Sequence, residues 1–137
     1  MIEHLAVAFY PEHIPEARWK PDLELMLASG IDTVRILEFA WSRMERMDDD
    51  WDFTWVHRFM KITNELGVRV VPCTPSAAPP AWLTSRHSDT LQMDKAGNRA
   101  AHGVVPATIV AESRRPGFRS AAFKRIAEIG RTTGWLL

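Results

Sequence analysis

Short apolar runs alternate with segments of helical periodicity along the first half of the chain. Residues 5–10 are apolar and end at Pro11, which predicts a buried strand followed by a loop. From Glu16 to Ser29 apolar residues recur every three or four positions, which predicts an amphipathic helix. Gly30 stands where a left-handed C-terminal cap is expected. The first predicted unit is therefore a strand followed by a helix.

The same alternation continues down the chain. Residues 33–37 predict a second strand, and residues 38–52 are expected to form a polar, aromatic loop. Thr54 is predicted to be the N-cap of a second helix that ends at Gly67, and a third strand follows at 68–71.

The second half of the chain is less regular. Four prolines among residues 72–80 predict a rigid loop without regular structure that reaches Leu83. A last helix is predicted within residues 117–130, and 1–137 is treated as one partial domain.

Strands separated by helices predict an α/β protein with a parallel sheet and right-handed crossovers. Periodicity alone leaves a barrel and an open sheet as alternatives. In a barrel the loops after the strands collect on one face and carry the chemistry. The loops here are long and rich in Trp, Glu, His and Pro, which favours a barrel.

Composition excludes several classes of partner. The 137 residues are 46% hydrophobic and 25% charged, with 17 basic and 17 acidic side chains. Because the charges balance, no net field attracts nucleic acid or an anionic membrane, and neither partner is expected. No segment is typical of a signal peptide or a membrane span, so the cytoplasm is the expected compartment. The single cysteine, Cys73, excludes an internal disulfide and a Cys-x-x-Cys zinc pattern.

Six tryptophans are many for a chain of this length. Trp19 and Trp55 fall on apolar faces of predicted helices, so they are interpreted as core residues. Trp41 and Trp82 fall in the loops that follow the second and third strands, where an aromatic side chain is available for binding.

Four blocks, in this order, resemble the start of the catalytic barrel of glycoside hydrolase family 42, the β-galactosidases. They are Tyr10-Pro11-Glu12-His13, Val34-Arg35-Ile36-Leu37-Glu38-Phe39-Ala40-Trp41-Ser42-Arg43, Trp51-Asp52-Phe53, and Thr74-Pro75-Ser76-Ala77-Ala78-Pro79-Pro80-Ala81-Trp82-Leu83. The resemblance covers residues 5 to about 100. It implies the N-terminal portion, about three βα units, of a TIM (β/α)8 barrel that hydrolyses terminal β-D-galactosides with retention of configuration.

The resemblance also implies which catalytic groups to expect. Retaining glycosidases use two carboxyl groups roughly 5 Å apart. In the family, the first glutamate lies in an Asn-Glu pair after the fourth strand and the second on the seventh strand. The Asn64-Glu65 pair of this chain falls inside the predicted second helix instead. We therefore expect a fragment with no catalytic residue of its own, inactive alone.

Three residues are predicted to bind substrate. Glu38 directly follows a strand and, by resemblance, would help to shape the sugar pocket. Trp41 and Trp82 could stack on the C–H face of a galactoside, although packing of the loops over the barrel mouth is an equal alternative.

The sequence leaves two further questions open, the role of Glu12 with His13 and the direction of Arg35. Glu12 and His13 could be an acid/base pair, but anchoring of a loop by hydrogen bonds is the simpler interpretation. Arg35 would point either into the barrel or toward the helices.

No metal or other cofactor is expected in this chain. Some family members bind zinc through a cysteine in a His-Tyr-Cys-Pro segment, whereas residues 104–116 match nothing in that part of the family. Family members are commonly homotrimers. A non-catalytic galactoside-binding or interaction module, and a fragment of another sugar-active barrel, remain alternatives to a β-galactosidase fragment.

A shift of reading frame after Gly103 would explain the unmatched segment. Ala107-Thr108-Ile109-Val110 can be encoded as GCC ACT ATT GTN, which read from the third base gives CAC TAT TGT, that is His-Tyr-Cys. Sequencing of the gene is expected to show codons compatible with this second reading. Codons that cannot be read in this way would contradict the frame shift.

Overall fold

A computed structural model describes residues 4–91 and 93–102, together with residues 124, 127 and 128. The predicted helix within 117–130 and the segment 104–116 lie outside these residues, except that 124, 127 and 128 are helical. The chain divides into two compact units. Residues 4–37 and 53–73 belong to the first unit, and residues 38–52 and 74–102 belong to the second.

The three predicted strands and the two predicted long helices are present in the predicted order, together with four additional short elements, α2, β3, β4 and α4. In chain order they are β1 (Ala6–Ala8), α1 (Glu16–Ala28), β2 (Thr33–Ile36), α2 (Trp41–Met44), β3 (Glu45–Met47), β4 (Asp50–Trp51), α3 (Thr54–Leu66), β5 (Arg69–Pro72) and α4 (Ala81–Arg86), with 3-10 turns at Pro11–His13, Pro75–Ala77 and Ser88–Thr90.

The first unit is built on a parallel sheet with the strand order β1-β2-β5. Val7 pairs with Val34 and Val34 with Val70, so three valines lie side by side on one face. The crossover from β1 to β2 contains α1, and the crossover from β2 to β5 contains α3 together with the short elements α2, β3 and β4. Parallel strands require such long connections. The prediction of an α/β fold with three parallel strands is therefore confirmed.

The core of the first unit is centred on Phe59 of α3. Its ring stacks on Phe9 with centroids 5.6 Å apart and meets the ring of Trp19 edge-on at 5.4 Å. The indole N–H of Trp19 donates to the carbonyl oxygens of Pro11 and Ile14 at 3.1 and 3.0 Å. These contacts join both helices to the end of β1, and they confirm that Trp19 is a core residue. Trp55 is buried too, as predicted.

The opposite face of the sheet is open within the first unit. Side chains alternate along a strand, so Ala8, Arg35 and Val71, which are in register, lie on the face away from Phe9 and the valines. All three are exposed. Arg35 therefore points away from the helices, which decides between the two orientations left open by the sequence.

Glycine ends both long helices. Gly30 and Gly67 have φ of 81° and 71°, and the residue after each donates its N–H back into the last turn, Ile31 to Met26 at 2.9 Å and Val68 to Thr63 at 2.9 Å. This is a Schellman cap, which needs a left-handed residue at that position. At the other end of α3 the prediction was wrong. Thr54 is the first helical residue and Phe53 is the N-cap, without a side-chain capping bond.

A polar cluster joins the segments that lead into the three strands. His4 Nδ1 is 2.6 Å from Asp32 Oδ2, and Arg69 donates to His4 Nε2 at 2.5 Å. The hydrogen bond from His4 is the largest of several effects that hold the pKa of Asp32 below its usual value. The three residues are far apart in sequence, so no local pattern predicts the cluster.

The expectation that residues 38–52 form an irregular loop was wrong. Strands β3 and β4 form an antiparallel hairpin after the short helix α2. Asp49, in the turn, has φ of 64°, a left-handed conformation that Asp tolerates better than most residues. Arg46 donates to Asp52 at 2.9 Å across the hairpin. The aspartate run 48–50 is therefore a turn signal.

The expectation of a loop without regular structure at 72–83 was wrong in part. Pro75 begins a 3-10 turn, and α4 begins directly after Pro80, whose carbonyl accepts the N–H of Leu83 at 3.1 Å. Proline lacks an N–H, but the first residues of a helix have no intrahelical acceptor for theirs. The prolines thus start short helices here instead of excluding them.

The packing around Phe59 predicts that Phe59→Ala destabilises the first unit by about 3–5 kcal/mol, because a large ring is lost from a closed core. The measurement is the midpoint of urea unfolding followed by circular dichroism. Leu25→Ala is the control, since Leu25 is 68% exposed, and a change within about 0.5 kcal/mol is expected for it. Equal losses in both variants would contradict this description of the core.

Candidate functional site

Two indole side chains and one backbone N–H of the second unit donate hydrogen bonds to Glu45. One carboxylate oxygen of Glu45 accepts the indole N–H of Trp41 at 2.6 Å, and the other accepts the backbone N–H of Asp49 at 2.9 Å. The backbone carbonyl of Glu45 accepts the indole N–H of Trp82 at 3.1 Å. A single residue therefore holds the indoles of both loop tryptophans through separate atoms.

Glu45 is 2% exposed, which is unusual for a carboxylate. Burial raises the pKa of Glu45, the negative charges of Asp48 and Asp49 add to the increase, and the N–H groups of Trp41 and Asp49 oppose it. These N–H donors are what make a buried acidic group tolerable at this position.

Trp82 lies on α4 and is half-buried, so part of its ring is accessible. The guanidinium carbon of Arg86, one turn further along α4, is 6.0 Å from the centroid of the Trp82 ring. Arg86 also lies 3.6 Å from the carboxylate of Asp48 in the turn of the hairpin. The ring of Trp82 is thus fixed by its N–H on one side and by a cation near its face.

Glu38 follows a strained residue. Leu37 is fully buried and has φ of 72°, a left-handed conformation that costs a residue with a β-carbon roughly 1–2 kcal/mol. Such strain persists only where the surroundings enforce it, and it is concentrated at functional positions. The half-buried Glu38 comes directly after this bend.

The three residues predicted to bind substrate differ in their burial. Trp41 is 2% exposed and Trp82 is half-buried, and Glu45 joins them. Glu38 belongs to the same unit. The burial of Trp41 favours packing over stacking on a ligand, whereas the exposure of Trp82 fits the predicted contact. Binding by any of the three stays a prediction.

Sequence reasoning missed Glu45 and Arg86. Each is four residues from the tryptophan that it contacts, Glu45 after Trp41 and Arg86 after Trp82. Residues four apart lie on the same side of a helix. This spacing would have indicated both contacts if residues 41–44 and 81–86 had been predicted as helices and not as loops.

Glu12 and His13 differ in their exposure to solvent. Both are in the 3-10 turn after β1, where Glu12 is buried and His13 is exposed with its ring 6.3 Å from that of Tyr10. A cleft of about 400 Å³ lies here, between the end of β1 and α1, and it includes Tyr10, His13 and Met26 in its lining.

The comparison with known protein families identifies the group to which the chain is related. The family model described as Glyco_hydro_42, β-galactosidase, matches residues 8–131. The chain belongs to glycoside hydrolase family 42.

Curated and solved relatives agree with this. The β-galactosidase BgaH of Haloferax lucentense is 38% identical over 93 residues, which are 68% of this chain and 14% of that protein. The crystal structure of a β-galactosidase from the psychrophilic Marinomonas ef1 matches 73% of this chain with a TM-score of 0.69 and 38% identity, over 15% of its own length. The β-galactosidase of Halorubrum lacusprofundi matches 92% of this chain with a TM-score of 0.74 and 30% identity, over 18% of its length. The chain thus spans about one seventh to one fifth of these relatives.

Membership of family 42 confirms that the α/β fold is the N-terminal portion of a TIM barrel. It also decides against a different family of sugar-active barrels, one of the alternatives that the sequence left open. The family match from 8 to 131 runs across residues 104–116, and the assignment of that segment as unmatched stays a prediction.

Among the side chains of residues 4–91 and 93–102, no three histidine, cysteine, aspartate or glutamate side chains form a group that could hold a metal ion. Cys73, which is partly exposed at the end of β5, does not supply such a site. Over the same residues, no helix is both long and apolar enough to cross a membrane.

Proposed function

We propose that this chain is part of a β-galactosidase and that its second unit supplies one wall of the sugar site, with Trp82 as the stacking residue and Glu38 as a polar contact. The observation that carries the proposal is the fixed, half-buried indole of Trp82 in a chain of family 42. An aromatic ring held in one orientation suits the apolar C–H face of a pyranose, because little conformational entropy is lost on binding.

The reaction proposed for the whole protein is retaining hydrolysis of terminal β-D-galactosides. It uses one carboxyl group as nucleophile and one as general acid and then base, roughly 5 Å apart. By resemblance, neither of these glutamates corresponds to a residue of this chain. Asn64 and Glu65 are exposed residues in the last turn of α3 and do not follow a strand. Our proposal for the 137 residues alone is therefore binding without hydrolysis.

A non-catalytic galactoside-binding module is the second candidate. It is favoured by one observation, namely that Glu45 and Arg86, which contact Trp82 through a hydrogen bond and a cation near its ring, belong to the same unit as Trp82. The cytoplasmic location, the lack of nucleic-acid, membrane or cofactor partners, and the homotrimer known in the family stay predictions.

The purified 137-residue chain is expected to release no nitrophenol from a nitrophenyl β-galactoside above a buffer control, because it lacks both catalytic carboxyl groups. The measurement is a colorimetric assay at high protein concentration. Turnover that purifies together with the chain would show that carboxylates among these residues can act as the pair.

Trp82→Ala is expected to weaken binding of galactose to the chain about tenfold, which corresponds to roughly 1.4 kcal/mol for an aromatic stacking contact. Binding can be measured by NMR chemical-shift titration with galactose. Met93→Ala, which changes an exposed side chain of the same unit, is the control and should leave the affinity unchanged. Equal affinity of Trp82→Ala and the unchanged chain would remove Trp82 from the site.

A further inference from the structure

We propose that Glu45 is a positioning residue of the proposed sugar site, which sets the orientation of both Trp41 and Trp82 and transmits its own ionisation to them. The inference rests on the proposed function for its meaning, since Trp82 is the residue that would contact the sugar. The positioning itself depends only on contacts within the second unit.

The geometry gives Glu45 three separate acceptor atoms, and each has a donor. The two carboxylate oxygens accept N–H groups from Trp41 and from Asp49, and the backbone oxygen accepts the N–H of Trp82. A carboxylate only accepts hydrogen bonds, so adding a proton to either oxygen weakens a charge-assisted bond from one of the two N–H donors.

A displacement of the Glu45 carboxyl group also affects the hydrogen bond of Trp82, because both involve the same residue. Asp49 N–H holds the side chain of Glu45 against the turn of the hairpin, and the backbone oxygen that Trp82 contacts belongs to the same residue at the start of β3. A shift of Glu45 therefore moves the acceptor of Trp82 together with that of Trp41. Trp41 is almost completely buried, so it has little room to follow by itself.

The charges around Glu45 determine the pH range in which this occurs. Asp48 and Asp49 of the turn raise its pKa together with burial, Arg86 of α4 lies near Asp48, and Arg46 is paired with Asp52. Because the pKa of Glu45 in the folded chain is above its ordinary value of 4.5, ionisation opposes folding. Its contribution to stability is complete below about pH 4.5 and is lost as the pH rises through the raised pKa.

The test is an NMR titration of the 137-residue chain labelled with ¹⁵N-tryptophan, with the indole peaks assigned by single Trp→Phe changes. We expect the indole N–H peaks of Trp41 and Trp82 to titrate with one shared midpoint above pH 4.5. In Glu45→Gln both peaks should stay constant over that range. Glu65→Gln, an exposed glutamate of α3, is the matched control and should keep the shared titration.

Two further variants keep the proposal testable if Glu45→Gln folds poorly. Asp48→Asn removes a like charge and should move the shared midpoint to lower pH, with both peaks still titrating together. Glu45→Asp shortens the side chain by one methylene, so the Trp41 peak should lose its hydrogen-bonded shift. Peaks that titrate independently, or a titration that persists in Glu45→Gln, would overturn the proposal.

Galactose titrations of the same samples separate this proposal from the proposed function. If neither the unchanged chain nor Glu45→Gln binds galactose, but the Trp41 and Trp82 peaks of the unchanged chain titrate together, the binding function fails and the positioning role stands. If both proteins bind galactose equally and the Trp41 and Trp82 peaks of the unchanged chain do not share a midpoint, the positioning role fails and the binding function stands.

Discussion

Parallel pairing of β1, β2 and β5 is the constraint on which the rest of the described structure depends. Parallel strands cannot be joined by a tight hairpin, so each connection must cross back over one face of the sheet. In this chain α1 and α3 make those crossings and place Trp19 and Phe59 on the same side as Phe9. The result is one closed face and one open face that carries Ala8, Arg35 and Val71.

The same constraint determines where chemistry can be added. The carboxyl ends of the strands share one edge, and the chain leaves that edge after β2 and after β5 to form the segments that make up the second unit. Both loop tryptophans belong to these segments. In a TIM barrel, active-site residues come from the loops at this edge, and the open face of the sheet is where inward-pointing side chains fill the barrel.

Within the second unit, the organising group is a buried acid and not an apolar cluster alone. A carboxylate out of water is costly unless donors surround it, and here the donors are an indole and the backbone of a strained turn. The consequence is precision, because a hydrogen bond fixes direction as well as distance. The indole of Trp82 is held in the same way by the backbone of Glu45, so its ring has a defined plane before any ligand arrives.

The sequence by itself determined the first unit well. Apolar periodicity, β-branched runs and the glycines at 30 and 67 predicted the three strands, both long helices and the C-terminal ends of those helices, because these depend on neighbours within a few residues. The ordered motifs around Tyr10, Glu38, Trp51 and Trp82 predicted the family, which the family model then confirmed.

Only the tertiary structure decided the second unit. The hairpin at 45–51 and the helix after Pro80 are short elements whose own propensity is weak, and they are stabilised by contacts between segments far apart in sequence, such as Trp82 with Glu45. The direction of Arg35, the burial of Trp41 and the role of Glu45 have the same origin. Each depends on which groups the fold brings within hydrogen-bonding distance, and a one-dimensional pattern does not contain that information.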